Sequence, residues 1–240
     1  MVRRVFDHVD IRVTDRDASE RFYTTVLRTL GIEHSYRGDD LVEWDDFSIA
    51  DDDAPVTRNL HIAFVAPSRE HVDAFHRAGV EAGFRDDGAP GPRPQYQDDY
   101  YGSFLLDPDG NSVEAVHRSN MREGGWIDHL WLRTRGVAAI RRFYETIGFA
   151  VRMHGDDHVQ IVGETGSFSF VTGEPTENVH IAFPAPDNAA VDAFHRTATE
   201  AGYRDNGAPG ERPMYHPGYY GAFVLDPDGH NVEVVNHNRG

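Results

Sequence analysis

The sequence predicts an α+β protein made of two homologous halves. Residues 59 to 116 align without a gap on residues 178 to 235 at an offset of 119, and 37 of the 58 aligned pairs are identical. In each half, stretches of alternating apolar and polar residues flank stretches with apolar residues at helical spacing. A period of 119 residues is too long for a solenoid repeat, so each half is expected to be a domain. We place domain 1 at 1–119, a linker at 120–125 and domain 2 at 126–240.

Each half is predicted to contain a strand, a helix and several strands, and then the same series again. Residues 5 to 13 alternate and predict a strand, after which Asp17 and Glu20 fit a capping box at the start of a helix that Gly31 ends. The second series is predicted as a strand at 59–65, a helix from Ser68 to about Ala82, and strands at 101–107 and 111–117 joined by the turn 107–110.

The composition excludes several classes of function. The chain has no cysteine and no lysine, so all 23 basic residues are arginine. Disulfide scaffolds, thiol nucleophiles and Schiff-base lysines are therefore excluded. With 40 acidic residues the net charge is −17, which argues against nucleic acid or an anionic membrane as the partner. The beginning of the sequence has no apolar stretch of signal-peptide length, and we expect a soluble, cytoplasmic protein.

Three polar residues recur among apolar neighbours in the predicted strands of both halves. They are His8 and His129, His61 and His180, and Glu114 and Glu233. Two neutral imidazoles and one carboxylate suit Fe, Mn, Zn, Ni or Co and leave positions open for a substrate. The alternative is structural, because a strand histidine is often only a hydrogen-bonded core residue and a buried glutamate can pair with an arginine. Spacing alone leaves both possibilities open.

Two further pairs of residues are candidates for substrate chemistry. Arg93 and Arg212, in GPRPQY and GERPMY, are candidate substrate-binding residues for a carboxylate or phosphate, unless they pair with some of the many acids. The doublets Tyr100-Tyr101 and Tyr219-Tyr220 adjoin a strand, so one tyrosine of each is expected to point to either face. Tyr101 and Tyr220 are our candidate catalytic residues.

Four motifs follow one another in each half and cover the chain twice: DHVDIRV and DHLWLR, RFY, NLHIAF and NVHIAF, and FLLDPDGNSVEAV and FVLDPDGHNVEVV. Taken in order, these motifs resemble the vicinal oxygen chelate superfamily, the glyoxalase, bleomycin-resistance and extradiol-dioxygenase group. The resemblance implies tandem domains of two βαβββ modules each, whose curved mixed sheets form a cup around a divalent metal. It implies the metal ligands His8, His61, Glu114, His129, His180 and Glu233.

The resemblance leaves open which residues share one metal. If the halves behave like a fused dimer with exchanged modules, one site contains His8, His180 and Glu233 and the other His129, His61 and Glu114. Without the exchange, the ligands group within each half. We favour the exchanged arrangement because two such similar halves on one short linker resemble a joined dimer.

Departures from the family patterns narrow the reaction. The segments DFSIAD and SFSFVT lack the mid-strand carboxylate that resemblance to glyoxalase I requires, and the lysine of fosfomycin-modifying relatives is missing. Phe104 and Phe223 stand where extradiol dioxygenases usually have tyrosine, which weakens that assignment.

The favoured function is a metal-dependent lyase, isomerase or dioxygenase that acts on a small substrate through two adjacent oxygens. The alternative is a bleomycin-resistance-like protein that sequesters a small molecule without turnover. A third possibility is that only one half is catalytic. The expected state is a monomeric pseudo-dimer or a homodimer, with no nucleic acid and no membrane partner.

Overall fold

The computed structural model describes residues 5–119, 125–163 and 167–238 and confirms the α+β fold. The chain forms two compact units. The first unit is Asp10–Trp131, and the second unit is Met1–Val9 together with Leu132–Gly240. The predicted linker, 120–125, lies outside the described residues apart from Gly125.

Within its described residues, the first sequence half has two α-helices and eight strands. In chain order the elements are β1 (His8–Arg12), α1 (Arg16–Leu27), β2 (Tyr36–Arg37), β3 (Leu41–Trp44), β4 (Phe47–Ala50), β5 (His61–Val65), α2 (Arg69–Glu81), β6 (Arg85–Pro92), β7 (Tyr101–Leu106) and β8 (Ser112–His117).

The second half repeats this order. Its elements are β9 (Ile127–Thr134), α3 (Val137–Thr146), β10 (Ala150–Met153), β11 (His158–Val162), β12 (Ser167–Thr172), β13 (Val179–Pro184), α4 (Asn188–Glu200), β14 (Arg204–Glu211), β15 (Tyr220–Leu225) and β16 (Asn231–Asn236). The strand-helix-strands series predicted from the alternation is therefore present four times. The two unit boundaries fall inside β1 and β9, after Val9 and after Trp131.

One mixed sheet carries the candidate residues of the first unit. The strands there are ordered β9-β5-β8-β7-β6, with β5 and β8 parallel and the other neighbours antiparallel. Helix α2 packs on β6, β7 and β8 and contacts α1, which packs on β4. Two large apolar residues of β5, Ile62 and Phe64, are fully buried on one face, whereas His61 on the other face stays partly accessible. Alternation along β5 therefore separates an apolar face from a face that carries the histidine.

The second unit is built in the same way. Its strands β13, β16, β15 and β14 are neighbours in that order, and β13 and β16 are parallel. Helix α4 packs on β14, β15 and β16, and α3 packs on β10, β11 and β12. Aromatic side chains fill its core, with the Tyr144 and Phe168 ring centroids 5.2 Å apart. No helix in the described part of the chain is both long and apolar enough to cross a membrane.

The helix ends follow local sequence signals with one correction. Helix α2 begins after Ser68, and Gly83 beyond its end has the left-handed φ of 86°. Helix α1 begins earlier than the Asp17–Glu20 capping box predicts, because the Asp15 side chain accepts a hydrogen bond from the Ala18 N–H. Glu20 instead binds the Arg37 guanidinium. The capping-box prediction is therefore wrong, because the N-cap residue is Asp15 and not Asp17.

Candidate metal centre

The first cluster of candidate ligands lies wholly within the first unit. Ala63 of β5 is the register partner of both Glu114 on β8 and His129 on β9. His61 lies two residues before Ala63 and so faces the same side of the sheet. As a result, His61 Nε2 lies 3.0 Å and His129 Nε2 lies 3.6 Å from Glu114 Oε2. The Glu114 side chain is only 2% exposed, whereas both imidazoles remain partly accessible to solvent.

The second cluster repeats this arrangement in the second unit. Ala182 of β13 is the register partner of Glu233, and its carbonyl accepts the Asp7 N–H just before β1. His180 Nε2 lies 2.9 Å and His8 Nε2 lies 3.5 Å from Glu233 Oε2. The six predicted ligands therefore form two groups, His61 with Glu114 and His129, and His8 with His180 and Glu233. This spatial grouping is the exchanged arrangement that we favour from the sequence.

In each cluster, an aspartate carboxylate accepts a hydrogen bond from Nδ1 of the histidine that follows it, His129 or His8. His129 Nδ1 donates to Asp128 (2.8 Å), and Arg118 donates to both oxygens of the same carboxylate at 2.8 and 2.6 Å. His8 Nδ1 donates to Asp7 (2.9 Å), which also accepts from His237. Burial raises the pKa of both aspartates, but the neighbouring imidazoles, and Arg118 for Asp128, hold each pKa well below its usual range. Both carboxylates are therefore ionised and fix the histidine proton on Nδ1.

A buried tyrosine holds each ligand glutamate. Tyr100 donates to Glu114 Oε1 at 2.6 Å, and Tyr219 donates to Glu233 Oε1 at 2.7 Å. Burial and the neighbouring Glu114 raise the pKa of Tyr100 far above its ordinary value, so this hydroxyl stays a donor. Burial raises the pKa of Glu233, but the imidazoles of His180 and His8 outweigh it and hold that pKa at about 2. Oxygen Oε2 of each glutamate is thus left for the cluster.

The glycines next to these tyrosines make room for the hydrogen bonds. A Cβ at Gly102 would lie 2.5 Å from Glu114 Oε1, and a Cβ at Gly221 would lie 2.5 Å from Glu233 Oε1. Neither distance is possible for real atoms, so any side chain here displaces the glutamate. The glycines in the YYG motifs are therefore part of each cluster's construction.

Tyr101 and Tyr220 are placed elsewhere. Tyr101 donates to Asp73 on α2 at 2.8 Å, and Tyr220 donates to Asp192 on α4 at 2.8 Å. Strand alternation turns them toward the helices, whereas Tyr100 and Tyr219 precede their strands and turn toward the glutamates. The structure thus brings the other member of each doublet to the clusters.

Arg93 and Arg212 lie close to the clusters. The Arg93 guanidinium carbon lies 5.4 Å from the Phe104 ring centroid, and the Phe104 ring is 6.0 Å from that of His61. The second unit repeats this stack with Arg212 5.6 Å from Phe223 and Phe223 6.0 Å from His180. Backbone carbonyls hold each guanidinium, and among the described residues no carboxylate lies within ion-pair distance of either one.

The donor atoms fit a divalent metal. Ligand atoms about 2.1 Å from a tetrahedral metal lie about 3.4 Å from one another. The observed separations of 2.9–3.6 Å between imidazole nitrogen and carboxylate oxygen match this value. The ligand atoms of His61, Glu114 and His129 all lie within 4.8 Å of one another. Two imidazoles and one carboxylate also leave further coordination positions open, as a catalytic site requires.

Several residues of these clusters were missed by the sequence prediction. Asp7 and Asp128 immediately precede the leading histidine in both halves, so the repeated Asp-His pair was an available signal. Gly102 and Gly221 follow the tyrosine doublets and also recur. Arg118 and His237 occupy equivalent positions but differ in type, and a search for recurring residues therefore passes over them.

Comparison with known proteins gives the family. The family model of the glyoxalase/bleomycin resistance protein/dioxygenase superfamily matches residues 5–115 and again 126–234. The chain belongs to this superfamily and contains two copies of its domain. No curated protein sequence matches the chain significantly.

Solved structures share the fold at low identity. Glyoxalase I from Zea mays is 18% identical, with a TM-score of 0.68 over 97% of this chain and 92% of that one. A Bacillus subtilis subsp. subtilis str. 168 protein provisionally named a dioxygenase is 14% identical, with a TM-score of 0.67 over 99% of this chain and 86% of that one. A glyoxalase/bleomycin resistance protein from Albidiferax ferrireducens T118 is 33% identical and covers 48% of this chain and 100% of its own, with a TM-score of 0.44.

Proposed function

We propose that this chain is a divalent-metal-dependent enzyme that acts on a small substrate chelated through two adjacent oxygens. The observation that carries the proposal is the convergence of two imidazole nitrogens on one glutamate oxygen, repeated in both units. Two imidazoles and one carboxylate suit Fe, Mn, Zn, Ni or Co. The reaction class is a lyase, isomerase or dioxygenase reaction, and the expected setting is the cytoplasm.

Within this proposal the protein residues have distinct tasks. His61, Glu114 and His129 would hold one metal, and His8, His180 and Glu233 the other. A bound metal supplies Lewis acidity toward the chelated oxygens of the substrate. Tyr100 and Tyr219, rather than our candidates Tyr101 and Tyr220, contact the glutamates and would keep them oriented.

We further propose that Arg93 and Arg212 bind an anionic group of the substrate. Each guanidinium carbon lies 5.4 or 5.6 Å from the centroid of a phenyl ring that is itself 6.0 Å from a ligand imidazole. Two backbone carbonyls position each one without neutralising its charge. In a chain with 17 more acids than bases, a guanidinium without a carboxylate partner is available for a carboxylate or phosphate of a ligand.

Elemental analysis of untagged protein tests the proposal directly. We expect up to two divalent metals per chain, with one lost in Glu233→Gln or His180→Ala. The matched control is Asp192→Asn, which removes the partner of Tyr220 on α4 and leaves both clusters untouched. Metal-free wild-type protein that still binds a small ligand without turnover would contradict the enzyme and support the sequestering alternative.

A further inference from the structure

The two clusters differ in the residues that contact Nδ1 of His61 in the first unit and Nδ1 of His180 in the second. In the first unit, His61 Nδ1 lies 3.2 Å from Ser112 Oγ, and Ser112 donates its only hydroxyl proton to Asp87 at 2.9 Å. In the second unit the equivalent positions are Asn231 and Asn206. There Asn231 Nδ2 lies 3.1 Å from His180 Nδ1, and Asn206 Nδ2 donates to Asn231 Oδ1 at 2.9 Å.

These two series of hydrogen bonds require different tautomers of His61 and His180. Because the Ser112 proton is committed to Asp87, His61 must be the donor toward Ser112 and carries a proton on Nδ1. The lone pair of His61 Nε2 then faces Glu114 Oε2 at 3.0 Å. His129 is fixed in the same tautomer by Asp128. Three lone pairs therefore converge in the first unit, an arrangement that a cation between them relieves.

In the second unit, the polar groups of His180, Asn231 and Glu233 hydrogen-bond to one another without a cation. The amide Nδ2 of Asn231 is a donor, so His180 Nδ1 accepts and the proton of His180 is on Nε2. That proton points at Glu233 Oε2, 2.9 Å away, and makes an ordinary hydrogen bond. A metal entering here must displace this proton, and the two asparagine amides must rotate together so that Nδ1 can become the donor.

We propose that the two sites are unequal, and that the site of His61, Glu114 and His129 binds divalent metal first because Ser112 and Asp87 hold His61 in the ligating tautomer. Ser112 and Asp87 are thus positioning residues of the first unit. Asn231 and Asn206 are their counterparts in the second unit and favour the ligating tautomer less. The inference rests on the proposed metal binding. Outer hydrogen-bond partners of metal-bound histidines typically change affinity about 10- to 100-fold, which sets the expected separation.

Titration of metal-free, full-length protein with Co²⁺ against a competing chelator tests the inference. Two steps are expected, about tenfold or more apart, with Glu114→Gln removing the tighter and Glu233→Gln the weaker. The double variant Asn206→Asp/Asn231→Ser gives the second unit the residues of the first and should tighten the weaker step about tenfold. Asp87→Asn, at an exposed position, should weaken the tighter step by a similar factor.

A second measurement does not depend on metal. ¹⁵N NMR of the metal-free protein should show a proton on Nδ1 of His61 and none on Nδ1 of His180. Two steps of equal affinity, a tighter step in the second unit, or the same tautomer for both histidines would overturn the inference and leave the proposed function standing. A complete absence of Co²⁺ binding would overturn the proposed function itself.

Discussion

At the scale of single residues, the first cluster depends on glycine at position 102 as much as on its ligands, because a glycine has no side chain to displace Glu114. Gly102 lets the Glu114 carboxylate reach Tyr100, and a Cβ there would also lie 3.2 Å from Tyr100 Cε1. The histidines and glutamates could be predicted because polar residues among apolar neighbours recur at fixed positions. The requirement for glycine could not, since it arises from a cross-strand distance that appears only when β7 and β8 are paired.

Replacement of Gly102 by alanine should remove one metal without unfolding the protein. The new methyl group pushes the end of the Glu114 side chain away and breaks its hydrogen bond with Tyr100, at a cost of about 1–3 kcal/mol in stability. We expect metal content to fall from two ions per chain to about one. Gly136→Ala is the matched control, because its Cβ would meet only ordinary contacts at 3.6 Å and beyond. Two retained metals in Gly102→Ala would contradict this account of the site.

At the scale of elements, β6 and β14 show where sequence patterns fail. Helix α2 and strands β7 and β8 were predicted within about two residues because alternation and glycine stops are local signals. Strand β6 has the sequence RDDGAPGP, without alternation, and its pairing with β7 shifts register on both sides of Gly88. Such a bulged strand is specified by its neighbour, so its own residues do not reveal it.

The turns before β8 and β16 are equivalent elements with different internal bonding. In the first unit, Asp107 Oδ2 accepts from the buried Tyr23 and from Asn111. In the second unit, Asp226 Oδ1 accepts two backbone N–H groups, but Oδ2 is buried and has no hydrogen-bond partner among the described residues. Burial raises the pKa of Asp226 to about 8, so this carboxyl is protonated in the folded protein at neutral pH.

This difference predicts how stability changes with pH. The folded-state pKa of Asp226 is above its unfolded value, so its contribution is fully present at low pH and is lost as pH rises toward 8. Burial lowers the pKa of His230 to about 4, which gives the opposite slope below about pH 6.5. Between about pH 6.5 and 8, Asp226 should therefore lower the free energy of unfolding by about 2 kcal/mol.

Asp226→Asn should abolish this loss. The amide keeps the oxygen that accepts the backbone N–H groups and carries no charge, so chemical denaturation should show a variant more stable than wild type at pH 8. The control is Asp107→Asn, in which an amide faces the donors of Tyr23 and Asn111, and which should be destabilised at the same pH. Equal pH profiles for wild type and Asp226→Asn would refute the assignment of the slope to Asp226.

At the scale of the whole molecule, sequence repeats and compact units do not coincide. Each sequence repeat occupies one half of the chain. The residues up to Val9 belong to the first repeat, but they lie in the compact unit that the second half mainly forms. The repeat could be detected from identity alone. Which half completes which cluster could not, because duplication leaves two equivalent copies of every ligand, and only the pairing of β1 and β9 with their neighbours separates them.

Double variants in the full chain test this assignment of ligands. His8→Ala combined with Glu233→Gln damages one cluster twice, so about one metal per chain should remain. His8→Ala combined with Glu114→Gln damages both clusters, so the metal content should fall close to zero. Grouping within each sequence half predicts the reverse order for the two double variants, because His8 would then share its metal with Glu114. Elemental analysis of the two proteins, with circular dichroism to establish folding, therefore distinguishes the arrangements by the sign of a single difference.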